Sequence, residues 1–238
     1  MYKRQGIAVV IIPIVCLYLL QCLLVPKYAS DIKEGAMIKE YYNSEKNHDV
    51  LILGDCEVYE NISTVTMWEN YGISSYIRGS AEQLIWQSYY LLEDTLKYEK
   101  PQVVILNVLA MTESDAKNEA YNRMTLDGMK LSKYKIASVR ESMTEEENMA
   151  SYIFPLLRYH SRWSELSSED FRYMWKTPSV TTNGYLMQKG VRPVTTIPKA
   201  APLANYTFSD RNMEYLDKIY SLCKDNGINP VSYTHLRA

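Results

Sequence analysis

The sequence is poor in phenylalanine, with three, and in cysteine, with four across 238 residues. Cysteine this sparse excludes a disulfide scaffold, and no C-x-x-C pair offers zinc spacing. Nine glycines and nine prolines exclude collagen-like and proline-rich disordered chains. Neither charge dominates: 26 Lys and Arg against 28 Asp and Glu leave a net charge of −2, so no cationic surface argues for nucleic acid. No Gly-rich phosphate loop or EF-hand pattern is present, so no cofactor and no metal is implied. What remains is an ordinary globular composition, 47% hydrophobic and 23% charged, with an excess of tyrosine (21). Amphipathic aromatics suit sugar-binding clefts and half-buried positions alike.

Both chain ends read as translated sequencing adapter. The genetic code allows residues 2–5, YKRQ, to be read from TAT-AAG-AGA-CAG. With a GTG start codon before it, the reverse complement contains GTC-TCT-TAT-ACA-C, which gives Val231-Ser232-Tyr233-Thr234 and begins His235. Residues 1–5 and 231–238 are therefore set aside from fold and site reasoning. The domain is expected to be truncated at its C-terminal side, and His235 is not taken as a site residue.

Residues 6–25, GIAVVIIPIVCLYLLQCLLV, carry no charge over twenty positions and are interrupted by Pro13 and Gln21. At 1.5 Å per residue such a helix is about 30 Å long, the thickness of a bilayer core. The expectation is one transmembrane helix anchored in the lipid bilayer, with a cleaved signal peptide as the rival reading. The following domain would then lie outside the cytoplasm. Residues 26–48 read as a polar connector with a weak apolar stripe.

The folded domain is expected over residues 49–230. Val50-Leu51-Ile52-Leu53 is a short apolar run closed by Gly54-Asp55, the pattern of a strand buried on both faces. A helix is predicted over 64–70, a strand over 73–77, a helix over 81–98 and a third strand over 103–106, ending at Asn107. This alternation means βαβ units, a parallel sheet and an α/β three-layer sandwich. Residues 112–202 break the rhythm and read as an insertion of the lid or substrate-shaping kind, with a helix pair over 143–166 and 169–175. A last helix over 210–223, capped by Asp225-Asn226-Gly227, leads into a fourth strand.

Ligand sites of open parallel sheets lie beyond the carboxyl ends of the strands. Those ends are Gly54-Asp55-Cys56-Glu57, Arg78-Gly79-Ser80 and Asn107. A strand, Gly-Asp, a nucleophile-type residue and a helix start would hold a side chain exposed near backbone N–H donors. With its VLILGDCEVYENI, YIRGSAEQLIWQSYYLLED and KPQVVILNV blocks, the sequence resembles the SGNH (GDSL-like) hydrolases, above all their membrane-anchored bacterial members.

The resemblance implies a flavodoxin-like fold with the nucleophile block at Gly54-Asp55-Cys56 and oxyanion donors at Gly79 and Asn107. The Gly-x-Asn-Asp context usual around that asparagine is absent. Asp55, Glu57 and Ser80 would line the substrate side. The family's Asp-x-x-His base would lie beyond Pro230. Implied activities are an ester hydrolase or O-acyltransferase on cell-envelope or exopolysaccharide glycans, working beside a membrane-bound O-acyltransferase. Cys56 stands where the family has serine, which leaves two readings: a thiolate nucleophile, or an inactive site that binds a glycan or a partner. The flanking Asp55 and Glu57 raise a thiol's pKa and oppose the first. Among the remaining candidates, His160 has polar and aromatic neighbours and is a substrate-binding candidate. His48 is expected to be exposed, Glu145-Glu146-Glu147 to form a solvated helix start, and Cys223 to face the core from a helix.

Overall fold

The computed structural model describes residues 2–27, 35–187 and 207–233. Helices α1 (Tyr2–Leu24) and α2 (Ala36–Glu40) come first, followed by a 3-10 turn over Tyr41–Asn43. Strand β1 (Val50–Gly54) runs into α3 (Cys56–Asn61) and α4 (Thr64–Tyr71). Next come β2 (Ser75–Gly79), α5 (Ile85–Thr95) and β3 (Val103–Asn107). Five short helices follow: α6 (Glu119–Leu126), α7 (Lys133–Ser142), α8 (Met149–Ile153), α9 (Leu156–Tyr159) and α10 (Ser168–Arg172). Helix α11 (Asp210–Asp225) and β4 (Asn229–Tyr233) complete the described chain.

The four strands form one parallel sheet in the order β2-β1-β3-β4. Alternation along the strands sends Leu51, Leu53, Val104 and Leu106 to one face, where they meet Ile85, Leu91 and Leu92 of α5 and Ile219 and Cys223 of α11. Val50, Ile52 and Ile77 point to the other face, against Val58 and Tyr59 of α3. Helices on both faces of a parallel sheet make the α/β architecture that the strand-helix alternation predicts. Cys223 is buried and unpaired, a core residue of α11 as expected.

The free edge of β2 is covered by the chain around residues 181–186. The Ile77 amide donates to the Asn183 carbonyl at 2.9 Å, and the Leu186 amide to the Tyr59 carbonyl at 2.8 Å. Gly184 makes this approach possible. Its φ is +80°, and a Cβ there would fall 2.0 Å from the Ile77 carbonyl oxygen. The covering hides strand amides that would otherwise template aggregation. In its described part, the long excursion after β3 therefore packs onto α5 and along the sheet edge.

The expected membrane-spanning helix over 6–25 is corrected: among the described residues, no helix is long and apolar enough to cross a membrane. Helix α1 starts at Tyr2, includes Lys3 and Arg4, and has Pro13 inside it. Its C-terminal end is fastened to protein. Leu24 is buried, its carbonyl accepts from Arg162, and the Tyr18 ring lies 6.3 Å from that of Trp175. The single-pass membrane protein, its bilayer anchorage and the extracytoplasmic placement built on that helix fall with it.

Several local expectations also shift. The helix over 81–98 shortens to Ile85–Thr95, because Glu82 takes a φ of +54° and the Gln87 side chain accepts from the Leu84 amide at 3.1 Å, starting the helix late. The long helix over 143–166 breaks at Pro155, which has no amide to offer, into α8, α9 and a 3-10 turn over His160–Ser164. Helices α6 and α7 escape a periodicity argument because they bury polar side chains, among them Asn122, Arg123, Thr125, Lys135 and Ser138. His48 is 7% exposed rather than open to solvent, and its Nδ1 lies 2.8 Å from Glu99. Glu145 and Glu146 are exposed, but Glu147 turns inward to accept from Asn122 and Thr144. Parts of the connector (28–34) and of the excursion (188–206), together with His235, lie outside the described residues.

Candidate functional site

The strand order locates the natural cleft. From β1 the chain moves outward to β2, then returns past it to β3 on the other side. The switch point of the sheet therefore lies between the carboxyl ends of β1 and β3, where ligands bind in open α/β folds. Asp55 follows β1 and Asn107 ends β3. The Asn107 Nδ2 donates to Asp55 Oδ1 at 2.8 Å, closing the two strand ends on each other.

Each residue is held by its neighbours. Asp55 is the N-cap of α3, and its carboxylate accepts from the Glu57 amide at 3.0 Å. Burial raises its pKa; the Glu57 amide and the Asn107 side chain lower it in part. Asn107 is 1% exposed, and its Oδ1 accepts from the Leu109 amide at 2.9 Å, starting the 3-10 turn Val108–Thr112. One amide side chain thus caps a turn and clamps the neighbouring strand end. Gly54 makes the approach possible: its φ is +154°, and a Cβ there would meet the Asn107 Cβ at 2.5 Å. Gly79 pairs with Gly54 across the sheet, and a Cβ on it would lie 2.9 Å from the Gly54 carbonyl.

Cys56 is the first residue of α3 and is half-buried, packed against the core cluster that holds Val58 and Ile52. Burial pushes its thiol up to about 11, and the carboxylates of Asp55, Glu60 and Glu57 push in the same direction. At neutral pH it is a neutral thiol. Neither described histidine reaches it. His48 is bound to Glu99, and His160 sits exposed on the 160–164 turn with Nδ1 2.9 Å from the Leu157 carbonyl.

The structure therefore brings together Asp55, Cys56, Glu57, Gly79 and Asn107, and leaves His160 apart from them. Ser80 stands beside Gly79, but its side chain faces inward. It is 3% exposed and bonded to Gln83 and Thr125. Among the described residues, no group of three or more His, Cys, Asp or Glu is arranged to hold a metal ion.

Sequence reasoning missed Arg78 as more than a strand-end residue. Its guanidinium is fully buried, paired with Asp94 at 3.1 Å and lying 4.2 Å over the Tyr41 ring. An arginine directly after the apolar pair Tyr76-Ile77 and before Gly79 was the available signal. No family of known proteins, no curated protein and no solved structure matches the chain.

Proposed function

We propose that this is an SGNH-hydrolase-like domain that binds an acylated glycan at its strand-end cluster, with Cys56 serving as a neutral thiol. The observation that carries the reading is the convergence at the sheet's switch point: Gly54 beside Gly79, Asn107 on Asp55, and Cys56 opening α3. What favours binding over turnover is the thiol itself, raised to about 11 by burial and by three neighbouring carboxylates, with no described imidazole in contact. An unassisted nucleophile needs a base or a lowered pKa, and here the shift runs the other way.

A second reading has one observation in its favour. Cys56 is only half-buried, and it opens a helix beside two strand ends, as an acyl-transfer nucleophile would. In that reading the Cys56 sulfur attacks an ester carbonyl, the ester C–O bond breaks to release the alcohol, which takes up the thiol proton, and the resulting thioester passes its acyl group to water in a hydrolase or to a glycan hydroxyl in an O-acyltransferase. Asn107 would then have to share the amide that now clamps Asp55.

Alkylation separates the two. Iodoacetamide should modify Cys56 slowly near neutrality, at a rate that climbs without a plateau between about pH 7 and pH 10. The wild type, Cys56→Ser and Cys56→Ala should show no turnover of p-nitrophenyl acetate. All three should retain an O-acetylated polysaccharide in preference to its deacetylated form. A plateau near neutral pH, or esterase activity that disappears in Cys56→Ala, would establish the catalytic reading instead.

A further inference from the structure

A second site lies where the C-terminal end of α1 meets α2 and the chain after α10. An inner cavity of about 60 Å³ opens into a cleft of about 330 Å³. Both are lined by Lys27, Lys39, Lys176 and Asp127, with Thr177 and Pro155 beside them. None of these residues belongs to the strand-end cluster. The lysines come from three separate segments of the chain and converge on one hollow.

Among the described residues that line this hollow, three lysines face one carboxylate. That carboxylate, Asp127, is already engaged. Arg123 donates to it at 3.0 and 3.2 Å, and the Tyr159 hydroxyl donates at 3.1 Å. Among the described residues no carboxylate forms an ion pair with Lys27, Lys39 or Lys176. Lys27 donates to the Val25 carbonyl, which holds its ammonium at the cavity wall. Burial lowers the pKa of both Lys27 and Lys39, and each further cation nearby (Lys39 and Arg162 facing Lys27) adds to the strain on Lys27; Asp170 and Cys22 oppose it. Ammonium groups crowded together in a concave, partly desolvated site gain most from a compact, multiply charged anion. Lysine is a point-charge phosphate ligand, and the Thr177 hydroxyl adds a neutral donor.

We propose that this lysine-lined cavity binds a phosphate group, with Lys27, Lys39 and Lys176 neutralising it and the wider cleft taking what the phosphate is attached to. That chemistry occurs both in soluble phosphate esters and in lipid headgroups. The cleft wall bears Tyr18, Tyr173 and Trp175, so an attached group with apolar or ring surface would be in contact with aromatics.

The test uses the full chain. Binding of glycerol 1-phosphate is measured by calorimetry against sodium chloride at matched ionic strength, in wild type and in the variants Lys39→Met and Lys176→Met. A parallel arm measures sedimentation with phosphatidylcholine vesicles with and without phosphatidic acid. The expected result is saturable glycerol 1-phosphate binding that each variant weakens about tenfold. Vesicle binding that requires phosphatidic acid and falls in both variants, without binding of the soluble ester, assigns the same site to a lipid headgroup. The proposal is overturned if neither phosphate source binds beyond the chloride control, or if both variants bind as the wild type does. Circular dichroism of the variants confirms that any loss is local.

Discussion

The side chain of Asn107 reaches across from the end of β3 and donates to Asp55 Oδ1 at 2.8 Å, so the two strand ends flanking the switch point are tied by one hydrogen bond. Asn107 is buried and Asp55 is a charged acceptor whose pKa burial raises. Asn107→Ala should cost about 1–3 kcal/mol of stability, the usual penalty for stripping a partner from a buried polar group. Asn107→Asp should be worse at neutral pH than at acidic pH. Two carboxylates in contact cannot both ionise, so the fold would hold a proton there that the unfolded chain releases. Urea titrations of both variants at two pH values would test this. An Asn107→Asp protein that gains stability as pH rises would contradict the clamp.

The glycines of the cleft differ in what they tolerate. Gly54→Ala puts a Cβ 2.5 Å from that of Asn107 at a backbone φ of +154°, so it meets both steric and conformational strain. Gly79→Ala, with no positive φ to strain, meets a 2.9 Å approach to the Gly54 carbonyl and a 3.2 Å one to Val58 Cγ2. The first should lower stability by roughly 2 kcal/mol or more and the second by less, with thermal melts giving the ranking. The reverse order would mean that Gly79 carries the geometry of the cleft.

Strands β1 and β3 were legible because VLILG and VVILN are apolar runs closed by a Gly or an Asn, whereas β2 carries Ser75 and Arg78 and β4 takes in Val231–Tyr233, residues set aside as adapter. A run such as VLIL, buried on both faces, has few other places to go. The strand ends named the cleft for the same reason, since parallel topology fixes which ends converge. The side-chain partners could not be read in advance. Ser80 sits next to a cleft residue in sequence, yet its hydroxyl turns toward Thr125, 45 positions away. Helices α6 and α7 bury Arg123, Lys135 and Ser138, so their inward faces look polar in the sequence. Lys27, Lys39 and Lys176 share a cavity only after the chain has folded.

Arg78 tests how much this domain depends on one buried ion pair. Its Nη1 donates to Asp94, to Thr95 Oγ1 at 2.9 Å and to the Leu91 carbonyl at 3.0 Å. Arg78→Met would leave the buried Asp94 carboxylate without its cation, held by the Tyr42 hydroxyl at 2.6 Å, and should destabilise by about 3–5 kcal/mol. Adding Asp94→Leu to that variant should recover part of the loss, because the stranded charge is removed as well. A double variant no more stable than Arg78→Met would show that packing of the guanidinium over Tyr41, rather than the ion pair, holds this region.

The last prediction concerns acid. Glu99 accepts from the His48 amide at 2.9 Å and from the Tyr41 hydroxyl at 2.8 Å, and His48 Nδ1 lies 2.8 Å from it. Burial alone would raise its pKa, but these bonds outweigh the burial and leave it below the ordinary carboxylate value. In the acid range the unfolded chain therefore binds the proton more readily than the fold does. Stability from Glu99 is fully present above the ordinary carboxylate pKa and is lost as pH falls through the lowered one. Glu99→Gln should cost roughly 1–3 kcal/mol near neutrality, with the gap to wild type narrowing below about pH 4. Chemical denaturation of both proteins across that range reads the gap directly. A gap that widens in acid would mean that the fold binds the Glu99 proton more tightly than the unfolded chain, and that the contacts to His48 and Tyr41 do not stabilise the carboxylate.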